Sequence, residues 1–285
     1  MQVLAPGKLF ILGEYAVTDG GPALVAAVNR GVACQVSGGD ALRTPGDNRF
    51  AKATLLAVGA PPRNYSFSDW NPAQLSEKGG FGGSAAACAA AAVAGTLAAG
   101  KPVNEALCDL AVQTHQEVQG SGSGMDVRAS FHGGLRRYHG QKVGPPMQGH
   151  PFVAVYSGTS AQTGPRVQRY KAWSDREAFV RDSAALLALF AIEPCSALSQ
   201  AYDLLRTMAR LAGLAYDTPA LSRIAALAEA HGGAAKPSGA GGGDVAIALV
   251  PDPKARASFT AACALEGLTP VPIRLAAGAK EGPHV

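Results

Sequence analysis

The chain has 285 residues, 47% of them hydrophobic and 16% charged, so it can bury a substantial core and is not of the intrinsically disordered class. Its formal net charge of +4 is spread without a basic stripe, which argues against a nucleic-acid-binding protein. No apolar run reaches the roughly 20 residues of a membrane helix. No Cys-x-x-Cys pair and no signal peptide is evident, so we expect a cytoplasmic protein that does not contact membranes.

Hydrophobic periodicity predicts a mixture of strands and helices. In chain order, it predicts strands at 3–12 and 23–36, a loop at 38–47, a short helix at 51–58, irregular backbone at 60–71, a helix beginning at Ser84, a helix at 104–118 and strands at 136–138 and 152–156. Helices at 174–192, 195–212, 218–231 and 254–266 and strands at 245–250 and 271–273 follow. Because strands and helices do not alternate regularly, the pattern favours an α+β fold. Gly144-Pro145-Pro146 marks the predicted boundary between two halves.

A glycine cluster at residues 79–86 carries the clearest chemical signal. It precedes the predicted helix, for which Ser84 is a good N-cap. Amide groups at such a helix start bind anions, most often phosphate. No lysine follows as in a Walker A loop, and the relaxed dinucleotide fingerprint lacks its preceding strand and its later acidic residue. A phosphate site and an ordinary turn before a helix both stay open.

Three further segments combine polar side chains with glycine or apolar residues. Lys8 interrupts an apolar strand, so it either meets an anion or lies at an exposed strand end. Asp126 follows the loop Gly122-Ser123-Gly124-Met125 and is either a site residue or a helix cap. Residues 236–244 lead into an apolar strand and have four glycines in five positions, which indicates close approach by a ligand or by another loop.

Taken in the order of the chain, the four segments resemble the motifs of the GHMP kinases, a family of small-molecule kinases without a Walker A loop. The resemblance implies a two-lobed α+β fold with mixed sheets and helices, an N-terminal lobe at 1–148, a C-terminal lobe at 149–285 and an active site in the cleft between them. Segments 13–17, 122–127 and 239–244 look most like the phosphomevalonate kinases of the mevalonate branch. Segment 133–139 is similar to mevalonate kinases instead.

The resemblance implies an enzyme of isoprenoid biosynthesis. Such an enzyme would use ATP and Mg²⁺ to phosphorylate 5-phosphomevalonate, as a monomer or a homodimer. Mevalonate as the acceptor and a catalytically inactive ligand sensor of the same fold stay open as alternatives. Lys8, Ser84 and Asp126 are all present, which favours an enzyme. A Rossmann-type nucleotide-binding module is a further alternative, and it would require a parallel sheet.

The family's functional residues carry over onto positions of this chain. Lys8 and Asp126 would be catalytic, and Ser84 with Glu117 would hold Mg²⁺, although Gly83 stands where the family usually has a serine. The predicted ATP-binding residues are Gly80, Gly82, Gly83, Ser84, Ala85 and Ala86. The predicted substrate-binding residues are Glu14, Tyr15, Arg128, Ser238 and Ala240, with Lys78, Arg136 and Arg137 as further cations for a phosphorylated acceptor.

Overall fold

Two long strands pair at the centre of the first sheet. In a computed structural model, which describes residues 1–71, 79–120, 122–161 and 163–282, β1 (Gln2–Leu12) runs antiparallel to β2 (Ala23–Ser37). The sheet is completed by β3 (Leu42–Arg43), β4 (Asn64–Trp70), β5 (Leu135–His139), β6 (Lys142–Val143) and β11 (Lys280–Glu281). The strand order is β11-β1-β2-β4-β3, and β5 pairs with the opposite end of β2 and with β6.

The second sheet is smaller and fully antiparallel. Its strands are β7 (Phe152–Tyr156), β8 (Ala234–Pro237), β9 (Val245–Leu249) and β10 (Thr269–Val271), in the order β10-β7-β9-β8. One hydrophobic cluster contains Leu9 from the first sheet, Ile247 from the second and Phe190 between them. The two sheets therefore share a core, and a site between them is held by both.

Helices cover the sheets, and one of them is central to the first half. The helices are α1 (Arg49–Ala57), α2 (Gly83–Ala98), α3 (Glu105–Gln119), α4 (Met125–His132), α5 (Thr163–Ala172), α6 (Arg176–Phe190), α7 (Pro194–Leu211), α8 (Pro219–Ala230) and α9 (Pro253–Leu265). The alanine-rich α2 is buried against β1, β2, α1, α3 and α4. Its small side chains let these elements approach closely. None of the helices that the structure describes is long and apolar enough to cross a membrane.

The predicted α+β class is confirmed, and several local elements differ from the prediction. The segment at 60–71 contains β4, whose Tyr65 and Phe67 alternate into the core and whose backbone pairs with β2. The sequence pattern also missed α5, which has Gly164 and Pro165 in its first turn. It missed β8 because lysine and proline are poor strand formers.

The C-terminal residues return to the first sheet. The amide of Ala276 donates to the carbonyl of Ala27 at 3.0 Å, and that of Gly282 donates to the carbonyl of Gln2 at 3.0 Å. β11 then pairs with the start of β1. The lobe boundary at 148/149 stays a prediction, and the last turns of the chain lie with the first half rather than the second.

Candidate active site

Lys8 lies inside β1, where its backbone and its side chain both meet the glycine loop of residues 79–86. The amide of Lys8 donates to the carbonyl of Phe81 at 2.8 Å. A Cβ atom on Gly82 would come within 3.0 Å of the lysine side-chain stem. Glycine therefore allows the loop to approach this closely. The ammonium also lies 5.0 Å from the centroid of the Phe10 ring. Lys8 is thus presented to the loop rather than at an exposed strand end.

Asp126 faces Lys8 from the first turn of α4. The distance between Lys8 Nζ and Asp126 Oδ2 is 3.5 Å, and the two side chains are 10% and 36% exposed. The helix is capped by Gly124, whose φ is 75°, and no side chain makes a capping hydrogen bond there. The Asp126 carboxylate is therefore directed to the lysine and is not used as a cap.

The glycine loop leads directly into the first turn of α2. Gly80 and Gly82 have φ values of 70° and 75°, in the region that favours glycine. Gly82 is the N-cap, so the expectation that Ser84 caps the helix is wrong, and Ser84 lies in the first turn. The first helical hydrogen bond runs from the Ala86 amide to the Gly82 carbonyl. The amides between these two residues can therefore bind an anion.

A histidine that sequence reasoning missed meets the Ser84 side chain. The Ser84 Oγ and His115 Nε2 atoms are 3.1 Å apart, and the imidazole stacks on the Phe50 ring at 5.0 Å between centroids. Burial lowers the pKa of His115, the negative charge of Asp126 opposes that effect, and Lys8 adds to it. Burial and the charge of Lys8 thus both favour the neutral form of the imidazole. A lone histidine in a helix carries no motif, so the sequence offered no signal for this contact.

A buried ion pair joins the end of β1 to β8. Lys236 donates to Glu14 Oε1 and, at 2.8 Å, to the carbonyl of Pro237. The lysine and glutamate side chains are 0% and 2% exposed. Burial lowers the pKa of Lys236, and the charge of Glu14 opposes that effect. Glu14 Oε2 is buried without a hydrogen-bond partner in the part of the chain that the structure describes.

Residues 13–15, which follow β1, lie against residues 236–244. The Tyr15 hydroxyl donates to the carbonyl of Ala240 at 2.7 Å, and the Gly239 amide lies 3.4 Å from Glu14 Oε1. Tyr15 has a φ of 61°, an uncommon conformation for a bulky residue. The Ser238 hydroxyl is buried, and no other described residue hydrogen-bonds to it. Glu14, Tyr15, Ser238 and Ala240 therefore belong to one cluster.

Residues 236–244 also contact the glycine loop. A Cβ atom on Gly80 would lie 2.7 Å from the Cβ of Asp244, and Asp244 Oδ1 accepts from the Ala161 amide at 3.2 Å. The guanidinium of Arg166 lies against Gly242, where an added Cβ would collide with it. Asp244 and Arg166 are residues that sequence reasoning did not select. These contacts join the end of β1, the glycine loop and residues 236–244 in one continuous site.

Two predicted site residues lie elsewhere. The side chain of Arg128 is 4% exposed and pairs with Glu105, at 3.2 Å, and with Asp109 on α3. It is therefore a link between two helices, because it occupies the face of α4 that packs on α3. Glu117 lies on the exposed face of α3 and accepts a hydrogen bond from Gln113 at 2.9 Å. The helical turn that brings His115 to Ser84 directs Glu117 away from it.

The additional predicted cations are not gathered at the site either. Arg136 donates to the backbone carbonyls of Gly133 and Gly144, each at 2.9 Å, and so stabilises the turn around β5 and β6. Arg137 is exposed on β5. Lys78 lies outside the residues that the structure describes.

Comparisons with known proteins agree with this geometry. The family model for the GHMP kinases N terminal domain matches residues 72–134, and that for GHMP kinases C terminal matches residues 191–266. A phosphomevalonate kinase of Streptomyces sp. (strain CL190) is 29% identical over 335 aligned positions, covering 86% of this chain and 88% of the relative.

Two solved structures illustrate the shared fold. The Streptococcus pneumoniae phosphomevalonate kinase in complex with phosphomevalonate and AMPPNP is 19% identical, with a TM-score of 0.80 over 96% of this chain and 99% of that chain. The Methanococcus jannaschii mevalonate kinase is 15% identical, with a TM-score of 0.78 over 96% of this chain and 98% of that chain. At these identities the likeness establishes the fold.

Proposed function

The chain belongs to the GHMP kinase family, and from that premise we propose that it transfers the γ-phosphate of ATP to 5-phosphomevalonate. The observation that carries this proposal is the Lys8 ammonium, 3.5 Å from the Asp126 carboxylate and beside the anion-binding start of α2. Phosphoryl transfer depends mainly on positioning and on neutralising charge. A lysine, a carboxylate and converging amide groups supply both.

The glycine loop would bind the nucleotide. Its proposed phosphate ligands are Gly80, Gly82, Gly83, Ser84, Ala85 and Ala86. Mg²⁺ prefers oxygen ligands and often takes only one or two from the protein. The Ser84 hydroxyl fits such a site, whereas Glu117 lies on the exposed face of α3 and bonds to Gln113, so we do not propose it as a second ligand. When bound, the ion would neutralise charge on the nucleotide phosphates.

The proposed transfer needs little acid–base chemistry from the protein. An oxygen of the acceptor phosphate forms a bond to the γ-phosphorus as the bond from that phosphorus to ADP breaks. A phosphate monoester has its second pKa at about 6, so the attacking oxygen is already ionised at neutral pH. Asp126 would therefore orient the acceptor and hold the Lys8 ammonium in place. Lys8 would stabilise negative charge on the acceptor oxygen that attacks the γ-phosphorus.

The acceptor would bind where residues 13–15 meet residues 236–244. Glu14 Oε2 and Ser238 Oγ have no hydrogen-bond partner among the described residues and would bind polar groups of the acceptor, and Tyr15 and Ala240 would complete this surface. Arg166, against Gly242, would add positive charge for a phosphorylated acceptor. The relative named phosphomevalonate kinase favours this acceptor over mevalonate. Cytoplasmic location and a monomeric or homodimeric state stay predictions.

A coupled assay of ADP release tests the proposal. Purified protein with ATP and Mg²⁺ would be offered 5-phosphomevalonate and mevalonate in parallel, and we expect turnover of the phosphorylated acceptor. Turnover of mevalonate alone would replace the proposal with mevalonate kinase. Turnover of neither, in a folded protein that still binds ATP, would favour an inactive sensor of the same fold.

A further inference from the structure

His115 is the polar side chain that the fold places against the predicted phosphate loop from the neighbouring helix. Its residue is 4% exposed, and its Nε2 atom lies 3.1 Å from Ser84 Oγ. The ring is fixed on its face by Phe50, at 5.0 Å between centroids. A ring held on its face and bonded at its edge has one orientation. Phe50 and Ser84 therefore both restrain the orientation of the His115 ring.

The function of Ser84 depends on where its proton points. A serine hydroxyl has one proton to donate and two lone pairs to share. If the proton were directed at the nucleotide, the oxygen would be poorly placed to bind a cation. A neutral imidazole nitrogen can accept that proton from behind and leave both lone pairs facing the loop. It does so without adding the negative charge that a carboxylate would bring.

We propose that His115 is a positioning residue that accepts the Ser84 hydroxyl proton and so directs the serine oxygen to the metal ion of the bound nucleotide. This inference rests on the proposed kinase function. In this arrangement Glu117 does not bind the ion. The Ser84 oxygen is the one protein ligand, and the imidazole nitrogen of His115 orients that oxygen. Phe50 and Ser84 contact His115 from other elements, and the charges of Lys8 and Asp126 act on its imidazole.

The experiment compares four proteins by titration with a non-hydrolysable ATP analogue, with and without Mg²⁺ and without any acceptor. His115→Phe keeps a ring against Phe50 but removes the hydrogen-bond acceptor, His115→Asn keeps an acceptor, and Ser84→Ala removes the donor. We expect His115→Phe to weaken binding roughly five- to tenfold with Mg²⁺, the loss of one hydrogen bond, and less than about twofold without it. His115→Asn should recover part of the loss.

The double variant separates positioning from simple packing. In a Ser84→Ala background, His115→Phe should cause no further loss of Mg²⁺-dependent affinity, because the group that it positions is gone. Equal losses with and without Mg²⁺, or additive losses in the double variant, would overturn the inference. If His115→Phe lowers the melting temperature strongly, His115→Asn and His115→Gln with the same titrations decide. Failure of the wild type to phosphorylate either acceptor would count against the proposed function, whereas these titrations need no turnover.

Discussion

The Lys8 ammonium lies 3.5 Å from the Asp126 carboxylate, although the two residues are far apart in the sequence. Lys8 belongs to β1, near the N-terminus, and Asp126 belongs to α4, which begins at Met125. The Lys8 side chain also borders the loop that precedes α2. The pair keeps a positive and a negative group next to each other without burying either completely. Such a pair can exchange partners when an anionic acceptor enters.

Replacing Lys8 tests its role in charge stabilisation. We expect Lys8→Met to lower kcat about 10²- to 10³-fold, as is usual when one preorganised group at the reacting phosphate is lost. The measurement is steady-state ADP release. Lys52→Met, on the exposed face of α1, is the matched control and should keep wild-type activity. A fall in activity that is matched by loss of folded protein would point to a structural role instead.

Replacing Asp126 distinguishes the two acceptors. For a phosphate acceptor that is already ionised, Asp126→Asn should lower kcat by about 10²-fold, the low end of the range for acid–base groups. For a hydroxyl acceptor the loss should be larger, because a base is then needed in the transition state. The assay is ADP release with each acceptor, and Asp203→Asn on the exposed face of α7 is the control. A kcat unchanged with the preferred acceptor would show that Asp126 only balances the charge of Lys8.

The buried pair of Glu14 and Lys236 should contribute strongly to stability when one partner is removed. Lys236→Met leaves a buried carboxylate without its cation, which costs about 3–5 kcal/mol. The double variant Glu14→Gln with Lys236→Met should recover part of this loss. Urea unfolding gives both values. The exposed pair of Arg223 and Glu266 is the control, and Arg223→Met should lower the free energy of unfolding far less than Lys236→Met does.

Arg128 should affect stability and leave substrate binding unchanged. Its guanidinium bonds to Glu105 and Asp109, so Arg128→Met should lower the free energy of unfolding by about 1–3 kcal/mol. The KM values for ATP and for the acceptor should stay within about twofold of wild type. A stable variant with a much higher KM for the acceptor would restore the original assignment of Arg128 to the substrate.

Asp217 should make the protein less stable in acid. Burial would raise its pKa, but hydrogen bonds from Tyr202 and Ser222 and the charge of Arg206 outweigh burial and lower it. A carboxylate whose pKa is lower in the folded state stabilises the fold above its unfolded pKa of about 3.9, and that contribution is lost as the pH falls through the folded value. Asp217→Asn should therefore differ most from wild type near neutral pH and least in acid. The measurement is urea unfolding of both proteins from neutral pH into acid. A difference in the free energy of unfolding that does not change with pH would contradict a lowered pKa of Asp217.

Local sequence was sufficient for most elements. Runs of helix-forming residues with apolar periodicity predicted α6 to α9, and the long apolar segments predicted β1, β2, β7 and β9. β4 was missed because its alternation of Tyr65 and Phe67 is short and follows two prolines. The backbone hydrogen bonds of β4 come from its pairing with β2, which the local sequence of β4 does not indicate. Such nonlocal pairing is decided by the neighbouring strand.

The sequence by itself predicted that Lys8, the glycine loop and Asp126 belong to one site, because the segments that contain them resemble GHMP kinase motifs in the order of the chain. Each segment alone also had an ordinary structural explanation. Only the tertiary structure decided which face of each helix meets the site. On α3 it is the face of His115 and not that of Glu117, and on α4 it is the face of Asp126 and not that of Arg128. The reason is physical: a helix offers side chains in every direction, and the close approach of the alanine-rich α2 selects the direction that becomes functional.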